Sequence, residues 1–163
     1  MSDSSTPPGA SSDPMANGQS LVNGTGARPA PTSAQLEAAF AFARPYFDHA
    51  RQGNVEALQP ALEAGLPANL TNDKGDTLLM LSAYHGRLEA VQLLLKHGGD
   101  PNRINDRQQS IMAGAIFKNE NEIVQTLLDH GADPTIGQPN AIDTAKTFNR
   151  QDWVTKFEER QSS

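Results

Sequence analysis

Leu94-Leu95-Lys96-His97-Gly98-Gly99-Asp100-Pro101 returns 33 residues later as Leu127-Leu128-Asp129-His130-Gly131-Ala132-Asp133-Pro134. A fixed period near 33 marks an array of stacked units rather than one irregular core. The same offset runs upstream. Leu62-Glu63-Ala64-Gly65 takes the slot of Leu95-Lys96-His97-Gly98, and Gly53-Asn54-Val55-Glu56-Ala57 takes that of Gly86-Arg87-Leu88-Glu89-Ala90. Asn119-Glu120-Asn121-Glu122-Ile123 follows in the next unit. Thr77 recurs as Ser110, Asn69 as Asn102 and Asn72 as Asn105.

Each unit reads as two short helices. In the middle unit the first spans roughly Thr77 to His85. The Thr77 hydroxyl is placed to accept from a free N–H of the first turn, and Gly86 tolerates the positive φ of a helix end. The second helix spans roughly Leu88 to His97. Leu88, Val91, Leu94 and Leu95 form one apolar stripe, and Gly98 stops the helix. A pair this short cannot bury both its faces alone, so it must lean on its neighbours.

Between helix pairs, Asp100 to Asp106 and Asp73-Lys74-Gly75-Asp76 favour turns, because Pro lacks a donor and Asn or Asp bonds its own backbone. These segments are expected to project as hairpin-like loops with exposed tips.

The layout Gly75-Asp76-Thr77-Leu78-Leu79-Met80, Gly86-Arg87-Leu88-Glu89-Ala90-Val91 and Leu94-Leu95-Lys96-His97-Gly98-Gly99-Asp100-Pro101-Asn102 resembles an ankyrin repeat. The resemblance covers about residues 34 to 158. It implies an all-α solenoid of stacked helix-turn-helix repeats with hairpin loops along one edge, and a concave protein-binding surface made of loop tips and first helices. The chain departs from the family at the start of the first helix. The usual Thr-Pro-Leu-His reads Thr77-Leu78-Leu79-Met80 and Ser110-Ile111-Met112-Ala113, so the His that bridges to the Thr and the next repeat is missing. Gln108 stands where a Gly would sit, although positive φ disfavours other residues.

The resemblance also implies which residues meet a partner. They are Thr71, Asp73, Lys74, Asp76, Tyr84 and His85 in one unit, and Ile104, Asp106, Arg107, Gln109, Phe117 and Lys118 in the next. Arg51 and Gln52 extend the row. Tyr84, Arg107 and Phe117 are the expected anchors, since aromatic residues and Arg dominate interface energetics. Asn69 and Asn102 resemble sites of asparaginyl hydroxylation in such repeats, while a loop Asn also serves simply to bond backbone.

The ends differ from the middle. Leu36 to Arg51 reads as a helical stretch broken at Pro45, with Leu36, Phe40, Tyr46 and Phe47 as the apolar faces of an N-terminal cap. Near the other end, Ala145 follows Ala115 by 30 residues instead of 33. Gly137-Gln138-Pro139-Asn140 is therefore expected to make a tight connection without a projecting hairpin. Trp153 is the expected anchor of the last unit, with Lys156, Glu158, Glu159 and Arg160 on an exposed outer face. About four units result, two full and two degenerate caps, at approximately 34–71, 72–104, 105–137 and 138–160, in a domain over 34–160.

Residues 1–33 are rich in Ser, Pro, Gly, Thr and Asn. They offer too little apolar surface to offset chain ordering and are expected to be disordered. They lack the basic start and long apolar core of a secretory signal, and no apolar run approaches the ~20 residues that cross a bilayer. The chain has no Cys, which excludes disulfides, thiolate metal sites and Cys nucleophiles and fits an intracellular protein, cytoplasmic or nuclear. Net charge is −6, of which Asp3, Asp13 and Arg28 in the tail give −1 and the rest gives −5. Excess acid opposes nucleic-acid binding, which needs clustered Lys and Arg.

Little in the sequence points to chemistry. His97 and His130 share a slot, but equivalent side chains of stacked helices lie roughly 10 Å apart, too far for a shared metal. An imidazole in the last helical turn instead favours the negative end of the helix dipole. Ser82 and His85 are neighbours, yet Ser82 takes a small-residue packing slot like Ala115. Gly98-Gly99 ends a helix and lacks the Lys-Ser/Thr of a phosphate loop. Met80 and Met112 suit core gaps. Asn23-Gly24-Thr25 matches a glycosylation sequon without a signal to deliver it.

The expected function is thus a non-enzymatic protein–protein interaction module, monomeric on its own, that acts as adaptor, scaffold, inhibitor or chaperone of a partner protein. No cofactor, metal, nucleic acid or membrane is expected. Two other readings of the same face are open: a small-molecule or enzymatic cleft lined by His85, Lys118 and Asp76, or a structural stabiliser within a larger complex.

Overall fold

A computed structural model of the chain describes residues 29–162. Most of the segment expected to be disordered, and the Asn23-Gly24-Thr25 sequon with it, lie outside the described residues. Among these residues there are eight helices: α1 (Ser33–Gln52), α2 (Val55–Glu63), α3 (Leu78–Tyr84), α4 (Leu88–Lys96), α5 (Ile111–Phe117), α6 (Asn121–Asp129), α7 (Ala141–Thr147) and α8 (Gln151–Ser162). No strand forms among them, only isolated antiparallel bridges at Thr71–Thr77 and Ile104–Ser110.

The helices begin where side-chain oxygens cap free N–H groups. The Thr77 hydroxyl accepts from Met80 N–H at 3.0 Å, and the Ser110 hydroxyl from Ala113 N–H at 3.1 Å. Asn140 takes the same slot in the last unit and accepts from Asp143 N–H at 2.7 Å. Each such cap stabilises its helix by about 1 kcal/mol. Gly86 has φ +74°, which carries the chain from α3 into α4.

From Ala41 onward the units pile in two rows. The first helices α3, α5 and α7 pack in succession, and the second helices α2, α4 and α6 pack behind them. The stripe Val91, Leu94, Leu95 is buried with its counterparts Val124, Leu127 and Leu128 in one continuous core. Each short helix thereby hides in its neighbours what it cannot hide in itself.

Helix α1 corrects two expectations. It is unbroken at Pro45. Pro45 and Ala41, whose carbonyl loses its partner to the proline, are both exposed, so the loss falls on the solvent side of the helix. Phe47, Ala43 and Ala50 face the core, whereas Leu36 and Phe40 are 43% and 53% exposed and form no buried cap face. At its start, Thr32 and Gln35 exchange side-chain and backbone hydrogen bonds at 2.8 and 3.1 Å, a reciprocal cap.

The bridging His that the repeats lack is replaced by other ties. Ser82 is fully buried and its hydroxyl donates to the Ala50 carbonyl at 3.1 Å, so the small-residue slot is also a crosslink. Asn69 donates to the Gly98 carbonyl at 3.2 Å and accepts from Asp100 N–H at 2.7 Å. Asn102 repeats this with Gly131 at 3.1 Å and Asp133 at 2.7 Å.

The last unit closes the pile. Trp153 is buried, stacks on Phe157 and donates through Nε1 to Asn121 Oδ1 at 3.1 Å. Lys156 and Arg160, expected simply to face water, also reach back, to Gln125 Oε1 at 2.8 Å and to the Leu128 carbonyl at 3.2 Å.

Candidate protein-binding groove

Two hairpin loops are built the same way. Asn72 Oδ1 accepts from the N–H groups of Lys74 and Asp76, and Asn105 Oδ1 from those of Arg107 and Gln109, all at 2.9–3.0 Å. Each Asn thus holds its tip in a turn. The loops then bond to each other. Asp106 N–H donates to the Lys74 carbonyl at 3.0 Å, and Asn105 Nδ2 donates to Asp76 Oδ1 at 2.8 Å. Gly75 makes room for this approach: a Cβ there would meet Asp106 Oδ1 at 2.6 Å. Gln138 N–H continues the chain of contacts to the Gln108 carbonyl at 2.7 Å, and Gly137 packs on Ser110. The short connection before α7 therefore lies against the preceding hairpin, with no bridge of its own.

Between these loops and the first helices runs an open groove of about 650 Å³. Met80, Leu81 and Ile111 form an apolar part of its floor. It brings together Arg51, Lys74, Asp76, Tyr84, His85, Arg107, Gln109 and Phe117 from the expected set. The other expected residues lie outside its lining. Asp73 and Asp106 are exposed at the loop tips, and Gln52 is exposed at the end of α1. Thr71 and Ile104 are bridge residues at the hairpin bases. Lys118 is exposed and places its Nζ 5.0 Å from the centre of the Tyr84 ring.

Three aromatic side chains stand at the far ends of the first helices. Tyr84, Phe117 and Phe148 are 41%, 54% and 48% exposed. Phe117 and Phe148 meet edge to face at 5.4 Å between ring centres. Phe148 also lines the groove, as do Pro139 and Thr147, none of which belongs to the expected set. With the three-residue deletion allowed for, Phe148 takes the slot of Lys118 and His85.

Charge in the groove lining runs against that of the molecule. Arg51, Lys74 and Arg107 line the groove against the one carboxylate of Asp76. His85 sits among Arg51, Arg87 and Lys118. Partial burial first, then these three cations, hold its imidazole below the usual value of 6.5. Asp76 is half-buried and tied to Asn105, while Arg51 pairs with Asp48 at 2.6 Å.

The paired helices, hairpins and 33-residue period over this part of the chain agree with a family model, "Ankyrin repeats (3 copies)", that matches residues 47–138. The chain belongs to the ankyrin repeat family. A 44-residue stretch, 27% of the chain, is 57% identical to a Pseudomonas aeruginosa protein named as an ankyrin repeat protein. That stretch covers 26% of the relative, so the likeness reaches about a quarter of its length. Ankyrin repeats in general are protein–protein interaction modules. Within this ankyrin stack, no group of three or more His, Asp or Glu residues converges to hold a metal among the described residues. None of their helices is long and apolar enough to cross a membrane.

Proposed function

We propose that this chain is a non-enzymatic binding module that docks a partner protein in the groove between its hairpin loops and first helices. The observation that carries the proposal is the row of half-exposed aromatic side chains, Tyr84, Phe117 and Phe148, beside Arg107 on one open groove. Such residues supply large contact area at small entropic cost and recur as interface anchors. On a rigid pile they need little ordering when the partner arrives. The chain then works alone as a monomer until it meets that partner, and it masks, scaffolds or chaperones what it holds.

The groups on which a catalytic or small-molecule cleft would draw each make a contact within the protein. Asp76 is bonded to Asn105, Lys118 covers the Tyr84 ring, and the His85 ring lies edge-on to Tyr84 with a centre separation of 5.5 Å.

Affinity capture tests the proposal. The unsubstituted chain and a triple variant, Tyr84→Ala, Arg107→Ala and Phe117→Ala, are used as baits under the same conditions. All three side chains are exposed, so the variant is expected to stay folded, which its thermal melt checks. Proteins held by the first bait and lost from the second are the expected result. Identical captures would remove this face from the function.

A further inference from the structure

The groove carries a mark of the kind of chain it accepts. Outside residues 1–33 the molecule has a net charge of −5, yet the cations Lys74 and Arg107 face the groove without an ion pair among the described residues. Arg51, paired with Asp48, also lines it, and Lys118 lies over Tyr84 nearby. Unpaired cations on an acidic molecule set up a local field that draws and orients an anion.

A second feature lies in the floor. Along the first helices Leu81, Gly114 and Thr144 take equivalent slots, and all three line the groove. Gly114 stands inside α5, where glycine weakens a helix. Its backbone does not require it: φ is not positive there, and an added Cβ would meet Tyr84 Cδ1 at an ordinary 3.5 Å. What the missing side chain leaves is a notch beside Tyr84, one helical turn from Phe117 on the same helix.

We propose that the groove takes an extended partner segment rich in Asp and Glu that carries one apolar side chain, the acids facing Lys74 and Arg107 and the apolar group seated over Gly114 beside Tyr84. This rests on the reading of this face as a protein-binding one and names the chemistry of the partner. The loop-tip acids Asp73 and Asp106 are exposed and lie outside the lining.

The full chain is titrated into three labelled peptides and followed by fluorescence polarisation. The first has Asp and Glu around a central Leu, the second has Ser for the Leu, and the third has Lys for every acid. The first is expected to bind at least about tenfold more tightly than the third and to weaken as salt is raised. Lys74→Glu and Arg107→Glu, both at exposed positions, are each expected to weaken it by roughly tenfold. Gly114→Leu is expected to erase the preference for Leu over Ser. Gly114→Ala, which meets only an ordinary contact, gives a smaller loss in the same direction if the larger side chain disturbs folding.

Equal affinity for the acidic and basic peptides, or charge reversal without effect, overturns the proposal. Either result is distinguishable from failure of the docking face, because the triple variant would still lose its captured partner. An oligothymidylate that displaces the acidic peptide and is indifferent to Gly114→Leu would assign the groove to nucleic acid and overturn it too. So would self-association of the chain that Arg107→Glu abolishes, since a second copy would then be the occupant.

Discussion

The amide nitrogen of Asn105 donates to the carboxylate of Asp76 across the gap between successive hairpins, at 2.8 Å. Asn105 is only 4% exposed, and its oxygen meanwhile holds its own loop. Asn105→Asp keeps an oxygen for that loop but sets a second carboxylate against Asp76. A loss of about 2 kcal/mol is expected at neutral pH, the scale of an unmet buried donor–acceptor pair. Two facing carboxylates raise each other's pKa in the folded state. The defect is therefore full above that raised value and shrinks as the pH falls through it. Urea denaturation of the variant and the parent at pH 7 and near pH 5 checks this. A gap that does not narrow in acid would show that the two side chains are not coupled.

Trp153 fastens α8 to α6. Trp153→Ala is expected to cost about 3–5 kcal/mol, the range for removing a buried aromatic. Trp153→Phe keeps a ring against Phe157 and Lys156 but loses the bond to Asn121, and should cost about 1 kcal/mol for that bond, besides any loss of ring contact. Thermal melts of both variants test the order. An alanine variant that melts with the parent would show that the final helix is held by other groups.

Gln108 sits at φ +67°, left-handed backbone that a side chain adopts at a cost of about 1–2 kcal/mol. Gln108→Gly relieves this. The freer unfolded chain takes back about 0.4–1 kcal/mol, and a net gain of about 0.5–1 kcal/mol is expected. Its backbone bond from Gln138 survives the change. Equilibrium denaturation reads the result, and a lower midpoint would mean that the side chain itself supports the hairpin.

His85 has its imidazole held below the ordinary value by burial and by Arg51, Arg87 and Lys118. Its folded pKa is lower than its unfolded one, so protonation favours the unfolded chain. Its contribution is neutral above the ordinary value and becomes unfavourable as the pH drops beneath it. Proton NMR titration is expected to give a midpoint under 6.5 that rises in Lys118→Gln. An unchanged midpoint in that variant would show that Lys118 does not act on the ring.

Much of the fold was readable because a period fixes slots. Thr77 and Ser110 share a slot, share a cap and share a bridge position, and the same offset places Leu94-Leu95 over Leu127-Leu128 in the core. What the period did not reveal depends on contacts between slots. The bonds from Asn69 to Gly98 and from Asn105 to Asp76 span 29 residues each, and their partners follow from the stacking offset, which no single unit encodes. Pro45 misled because the cost of a proline inside a helix is smaller where its orphaned carbonyl faces solvent, and exposure is a tertiary property. Phe148 was missed because a deletion of three residues shifts the count just where it lies. Arg150 belongs with it: its guanidinium bonds Asn119, Asn121 and Asp152, linking the last unit to the one before.

Phe117 and Phe148 touch edge to face although they belong to consecutive units. A guest lying across both rings would staple the terminal hairpin to the layer beneath it. Ends of repeat arrays fray most readily, and anything that binds only the closed form suppresses the fraying. Occupancy of this face would accordingly be registered at a distance, as slower amide exchange along 151–162, on a helix the guest never meets.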